Sequence, residues 1–234
     1  MSENSPDDAY VAKEAYQDIG QASSYDAKRF TSFRGKIGDT LDKRTLKKAL
    51  NAIPHSDISS LRILDVPCGT GRITQYLLEQ GTHVTGADIS EEMMQVAEKK
   101  VSAFNTFGGF YPMDASALTF EDNAFDVVVS IRFMGHIPQD VRIKILKEFA
   151  RVSQYAVVEY DLQSKTVELR RNVDSLLKTG IQLPKRWGWH IFTKNELYGE
   201  VKEAGLHVVK MWAKLPYLSG SHYVLMRRTT GATK

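Results

Sequence analysis

Cysteine is almost absent: Cys68 is the only one in 234 residues. A lone thiol excludes an internal disulfide, a cysteine-based metal site and chemistry that needs several cysteines. Long apolar runs are missing too, and none approaches the roughly 20 apolar residues of a membrane-spanning helix. The first eight residues, Met-Ser-Glu-Asn-Ser-Pro-Asp-Asp, have neither a basic region nor an apolar core. They do not read as a secretory signal, and the expected compartment is the cytoplasm. Net charge is only +3, too little to argue for a nucleic-acid partner. What remains is ordinary for a globular chain, 42% hydrophobic and 25% charged, and its length suits one α/β domain.

The most informative stretch is Leu61-Arg62-Ile63-Leu64-Asp65-Val66-Pro67-Cys68-Gly69-Thr70-Gly71-Arg72-Ile73. Leu61 to Val66 is a short apolar run with an acid near its end, the pattern of a strand buried in a parallel sheet. Gly69 and Gly71 turn the chain, and lacking a Cβ they let backbone amides approach a ligand. Ile73, Tyr76 and Leu77 then begin a helical spacing that Gly81 closes. A second apolar segment, His83 to Ala87, ends at Asp88. A carboxylate at that strand tip can accept from both hydroxyls of a ribose. The stretch therefore predicts a nucleoside-bearing cofactor across the carboxyl ends of two neighbouring strands. A dinucleotide fingerprint would need a third glycine where Arg72 and Ile73 stand, which disfavours a nicotinamide oxidoreductase.

The string Leu-Asp-Val-Pro-Cys-Gly-Thr-Gly, with Asp88 at the next strand end, resembles the cofactor motifs of class I S-adenosylmethionine-dependent methyltransferases. Within that class, the segment Arg132 to Pro138, with His136 just before Ile137-Pro138, resembles the small-molecule, ubiquinone/menaquinone type. Many members carry glycine where Pro67 stands, and proline removes an amide donor there. The resemblance covers about residues 40 to 228 and is specific from Leu61 to Pro138. It implies an α/β fold, a Rossmann-like doubly wound sheet of seven strands in the order 3-2-1-4-5-7-6, the last strand antiparallel. It also implies S-adenosyl-L-methionine as cofactor, at Asp65, Pro67, Cys68, Gly69, Gly71, Asp88, Ile89, Met93, Asp114, Ala115, Ser130 and Ile131. Ile89 and Met93 would wall the adenine, although Met93 reads equally as core filler. Asp114 and Ala115 would meet the adenine amine and ring, and Asp114 can also cap a helix before Ser116. For Cys68, packing is the plain role.

Around that centre, aromatic residues recur from Tyr10 to Phe33. They read as an amphipathic helix packed on the sheet or, by the resemblance, as a cap over the cofactor with Tyr25 and Arg29. The expected division is residues 1–38 as tail and covering helix, and 39–234 as the methyltransferase domain. Asp39 is expected to cap a helix running to about Ile53, with Leu46, Leu50 and Ile53 inward and Lys43, Arg44, Lys47 and Lys48 solvated. Ser90 is expected to cap a helix with Glu91 and Glu92 in its first turn. Strands are expected at Phe110–Met113, Phe125–Ile131 and Ala156–Tyr160, with a closing hairpin at His207–Trp212 and His222–Met226. Thr193-x-x-Glu196 is a capping box. A helix over Lys165–Lys178 and the aromatic loop with Trp187 and Trp189 suggest a substrate lid at 163–192, or else a plain surface loop.

Pro138 suits the first turn of a helix carrying Val141, Ile145, Phe149 and Val152 inward. That leaves His136 in the loop at the carboxyl end of the central strand, where open α/β sheets bind ligands. An already activated methyl group asks the protein mainly for alignment, which is worth about 7–11 kcal/mol in favourable cases. A hydroxyl acceptor must also lose a proton, and histidine is the side chain whose unperturbed pKa lies near neutrality. His136 is the candidate base, with Glu159 or Asp161 as its partner; Arg132, Phe133, Trp187 and Trp189 are the candidate substrate contacts. The expected partner is a small-molecule acceptor, with no membrane span, nucleic acid disfavoured, and a monomer or homodimer. No Asn-Pro-Pro-Tyr-like string follows the fourth strand, which argues against methylation of nucleic-acid amines. A catalytically silent subunit of the same fold, or an RNA methyltransferase using basic residues near 28–48 and 185–194, are the rival readings.

Overall fold

The computed structural model describes residues 32–55, 57–163, 190–216 and 219–229. Its first helix, α1 (Phe33–Leu50), is capped by Ser32, whose hydroxyl accepts from the Gly35 amide at 3.1 Å. Asp39 is thus inside the helix rather than at its start, and a division between residues 38 and 39 would cut a continuous helix. The amphipathic pattern starts late, because Phe33 is exposed, and this hid the true cap. Leu46, Leu50 and Ile53 are buried as expected, and Arg44, Lys47 and Lys48 face solvent.

The sheet is built from β1 (Arg62–Asp65), β2 (His83–Asp88), β3 (Phe107–Pro112), β4 (Phe125–Ser130), β5 (Ser153–Asp161), β6 (Leu206–Ala213) and β7 (Ser221–Arg228). Its order is β3-β2-β1-β4-β5-β7-β6. The first five strands are parallel, and β7 runs antiparallel to both β5 and β6. The expected order and the reversed last strand are both present. Between the strands lie α2 (Arg72–Glu79), α3 (Glu91–Val101), α4 (Gln139–Val152) and α5 (Lys194–Glu203). Ser90 caps α3 at Met93, and Thr193 with Glu196 forms the reciprocal capping box of α5.

Because the parallel strands are covered on both faces, their side chains form two cores. One core packs Ile63, Val127, Val129 and Val157 against Leu46, Leu50 and Leu77. The other packs Leu64, Val128 and Val158 against Ile145, Phe149, Leu197 and Val201. Each fully buried aliphatic side chain contributes about 1.5–3 kcal/mol. Such a sheet is a rigid platform, and its carboxyl edge carries the loops after β1, β2, β3 and β4.

Candidate functional site

A single cleft gathers those loops. The β1–α2 turn forms its floor: the Cys68 amide donates to the Ala87 carbonyl at 2.9 Å, and the Gly71 amide closes back on the Cys68 carbonyl at 3.0 Å. Gly69 and Gly71 both have positive φ, +53° and +74°, yet they serve different ends. A Cβ on Gly69 would meet nothing within 4 Å, so the cleft is open there; one on Gly71 would lie 2.7 Å from the Ala97 Cβ. Gly71 is therefore glycine because α3 packs on it. The Lys100 ammonium holds the Thr70 carbonyl at 2.6 Å.

Asp65 and Asp88 line this cleft from the tips of β1 and β2. Asp88 is held by two amides, Gly69 on Oδ2 at 2.7 Å and Ser90 on Oδ1 at 2.9 Å. Burial raises its pKa above the usual carboxylate range, against the pull of those amides. Asp65 accepts the Thr74 hydroxyl at 2.6 Å. Complete burial pushes its pKa up to about 7, with the neighbouring Asp88 charge adding to the effect. Burial likewise raises the Cys68 thiol, which is closed off as a packing residue.

Of the residues expected to hold the cofactor, Pro67, Cys68, Gly69, Ile89, Met93, Ala115 and Ile131 also line the cleft. Gly71 and Ser130 lie behind the wall, and Ser130 is fully buried. Asp114 turns its Oδ1 back to the Ser116 amide and hydroxyl, each at 2.8 Å, in a local turn with no helix after it. Tyr25, Arg29, Trp187, Trp189 and the helix expected at 165–178 lie outside the described residues, as does most of the expected lid.

His136 reaches the cleft from a 3-10 turn, Met134–His136, beside Phe133 and Arg132. Glu159 does not line it. Its carboxylate accepts the Arg132 amide at 3.0 Å and the Ser221 hydroxyl at 2.5 Å, and burial followed by the nearby Asp42 raises its pKa. β5 continues through Asp161, and a spacing of two residues returns to the same face, so Glu159 and Asp161 share one. Arg132 lies along the cleft wall, but its guanidinium is committed to Asp42 at 2.8 Å.

Arg72 and Met113 also line the cleft, and neither was expected from sequence. Arg72 had left a signal. It is a cation at the first position of a helix with no side-chain cap, where the dipole disfavours positive charge. Asp39 at 2.6 Å and Asp42 at 3.4 Å offset it.

Residues 63–155 match the sequence family described as "Methyltransferase domain". Over that stretch the chain resembles a methyltransferase domain. The match covers the sheet from β1 into β5, including the Gly69 turn, Asp88 and His136. Among curated relatives, the ubiquinone biosynthesis O-methyltransferase of Coxiella burnetii is 30% identical over 81 residues, 35% of each chain. The chain spans only 27% to 44% of the length of the first curated relatives it matches. Among solved structures, magnesium protoporphyrin IX methyltransferase from Synechocystis PCC 6803 with bound SAH superposes with a TM-score of 0.72 at 16% identity, over 93% of this chain and 100% of that one. The [4+2]-cyclase SpnF superposes at 0.65 and 15% identity, over 94% and 96%. The strand order and these superpositions show that the chain shares the fold of those structures.

Proposed function

We propose that the protein transfers a methyl group from S-adenosyl-L-methionine to a hydroxyl oxygen of a small molecule by in-line displacement. The reading is carried by Asp88, a buried carboxylate at the β2 tip that the Gly69 and Ser90 amides aim into the cleft. In this reading Asp88 accepts from the ribose, and Ile89, Met93 and Ala115 hold the base. Asp65 and Asp88 share the cleft lining with Arg72 and Arg132, so the acids offset the two cations there. When bound, the cofactor supplies an already activated sulfonium methyl. His136 takes the acceptor hydroxyl's proton at an imidazole nitrogen, Phe133 packs on the acceptor, and Ile131 excludes water.

Calorimetry tests the binding: the expected result is heat with S-adenosylmethionine and S-adenosylhomocysteine and none with NAD, lost in Asp88→Ala. No binding of either sulfur nucleoside to the intact protein refutes the proposal. Turnover with labelled methyl donor and a panel of hydroxylated metabolites tests the chemistry, and His136→Ala should lower kcat and remove the acid limb of its pH profile. Because SpnF places a cyclase on this fold, a protein that binds the cofactor yet methylates no acceptor is the second reading. That same panel separates the two.

A further inference from the structure

Behind the cleft wall, five segments meet at one carboxylate. Asp42, in the middle of α1, is fully buried, and both of its oxygens are used. Oδ2 accepts from Arg132 at 2.8 Å and from Arg72 at 3.4 Å; Oδ1 accepts from the Tyr223 hydroxyl at 2.8 Å and pairs with Lys214. Arg132 has a φ of +62°, a left-handed backbone that a non-glycine residue keeps only when its surroundings demand it. Here the demands are its amide on Glu159 and its guanidinium on Asp42. Arg72 and Arg132 are both part of the cleft lining. Four cations, Lys43, Arg72, Arg132 and Lys214, thus sit among three acids, Asp39, Asp42 and Glu159.

We propose that Asp42 is a positioning residue. It holds Arg72 and Arg132 against the cleft wall and supplies the negative charge that lets the cleft take a cationic donor in preference to its neutral product. The proposal rests on the methyltransferase reading above. S-adenosylmethionine carries a sulfonium, an ammonium and a carboxylate, for a net charge of one; loss of the methyl leaves a neutral zwitterion. Two guanidinium groups in the wall would oppose the donor more than the product unless an acid behind them balanced their charge. Attraction between partly buried charges is screened far less than in water.

The test is the ratio of Kd values for S-adenosylmethionine and S-adenosylhomocysteine, measured by calorimetry on the full chain. Asp42→Asn should weaken the donor relative to the product by on the order of 5-fold, as expected for loss of one partly screened unit charge. Lys214→Met removes a cation from the same cluster and should move the ratio the other way; the double variant should return it close to that of the wild type. A network that only pins α1 would lower stability in every variant and leave the ratio alone. Ratios within 2-fold of wild type in the folded single variants, or single-variant shifts of the same sign, overturn the proposal. Should Asp42→Asn fail to fold, Lys214→Met decides it alone. A wild type that binds neither nucleoside removes the functional reading itself, a result distinct from an unchanged ratio.

Discussion

Replacing Gly71 with alanine should unfold the cofactor loop from behind rather than block the cleft. Its φ of +74° costs an L-residue about 1–2 kcal/mol. The new methyl would also lie 2.7 Å from the Ala97 Cβ and 3.0 Å from the Ala97 Cα. Neither atom belongs to a flexible side chain, so α3 must shift, at about 1–3 kcal/mol for overpacking. Gly71→Ala should therefore lose about 2–5 kcal/mol in urea denaturation, read from the midpoint at constant m. Gly69→Ala is the control: with a φ of +53° and no atom within 4 Å, it should lose only about 1–2 kcal/mol. Its methyl enters the cleft, so S-adenosylhomocysteine affinity should fall more than stability does. Adding Ala97→Gly to Gly71→Ala relieves the overlap but not the φ cost, and a helix glycine takes back about 0.5–1 kcal/mol. If Gly71→Ala loses no more stability than Gly69→Ala, or Ala97→Gly rescues nothing, the close approach of α3 is not what demands the glycine.

Asp65 predicts a pH dependence. Its folded pKa of about 7 lies above the ordinary 3.8, so its contribution to stability is fully present below about pH 4 and is lost as pH rises through 7. The full shift corresponds to on the order of 4 kcal/mol. Asp65→Asn should flatten that part of the stability–pH curve, and an unchanged slope would show that the buried carboxyl is not its source. The buried Arg142–Glu200 pair joins α4 to α5, with Arg142 also donating to the Ile137 carbonyl at 2.5 Å and lying 4.7 Å over the Phe192 ring. Glu200→Ala should cost about 3–5 kcal/mol by stranding a buried cation, whereas Arg142→Met with Glu200→Met should cost far less. Equal losses in the two would mean that packing, not charge, dominates the site.

Much of the scaffold was legible because its signals are local. Apolar runs ending in Asp65 and Asp88, the glycines between them, and the Ser90 and Thr193 caps each act within a few residues, so their order along the chain reveals them. The same locality explains the misread start of α1: Asp39 looks like a cap in its own window, and only the fold shows it inside the helix, paired with Arg72.

The chain's own pattern thus settled a parallel sheet, a glycine turn after its first strand and an acid at the tip of the second strand. Tertiary structure alone decided which charges meet. Tyr223 and Asp42 are 181 residues apart in the chain yet bond at 2.8 Å, and Glu159, one of the two candidate partners of His136, is bound to Arg132 and Ser221. A buried carboxylate must find its partners wherever the packed segments bring them, and no periodicity in the sequence records that distance.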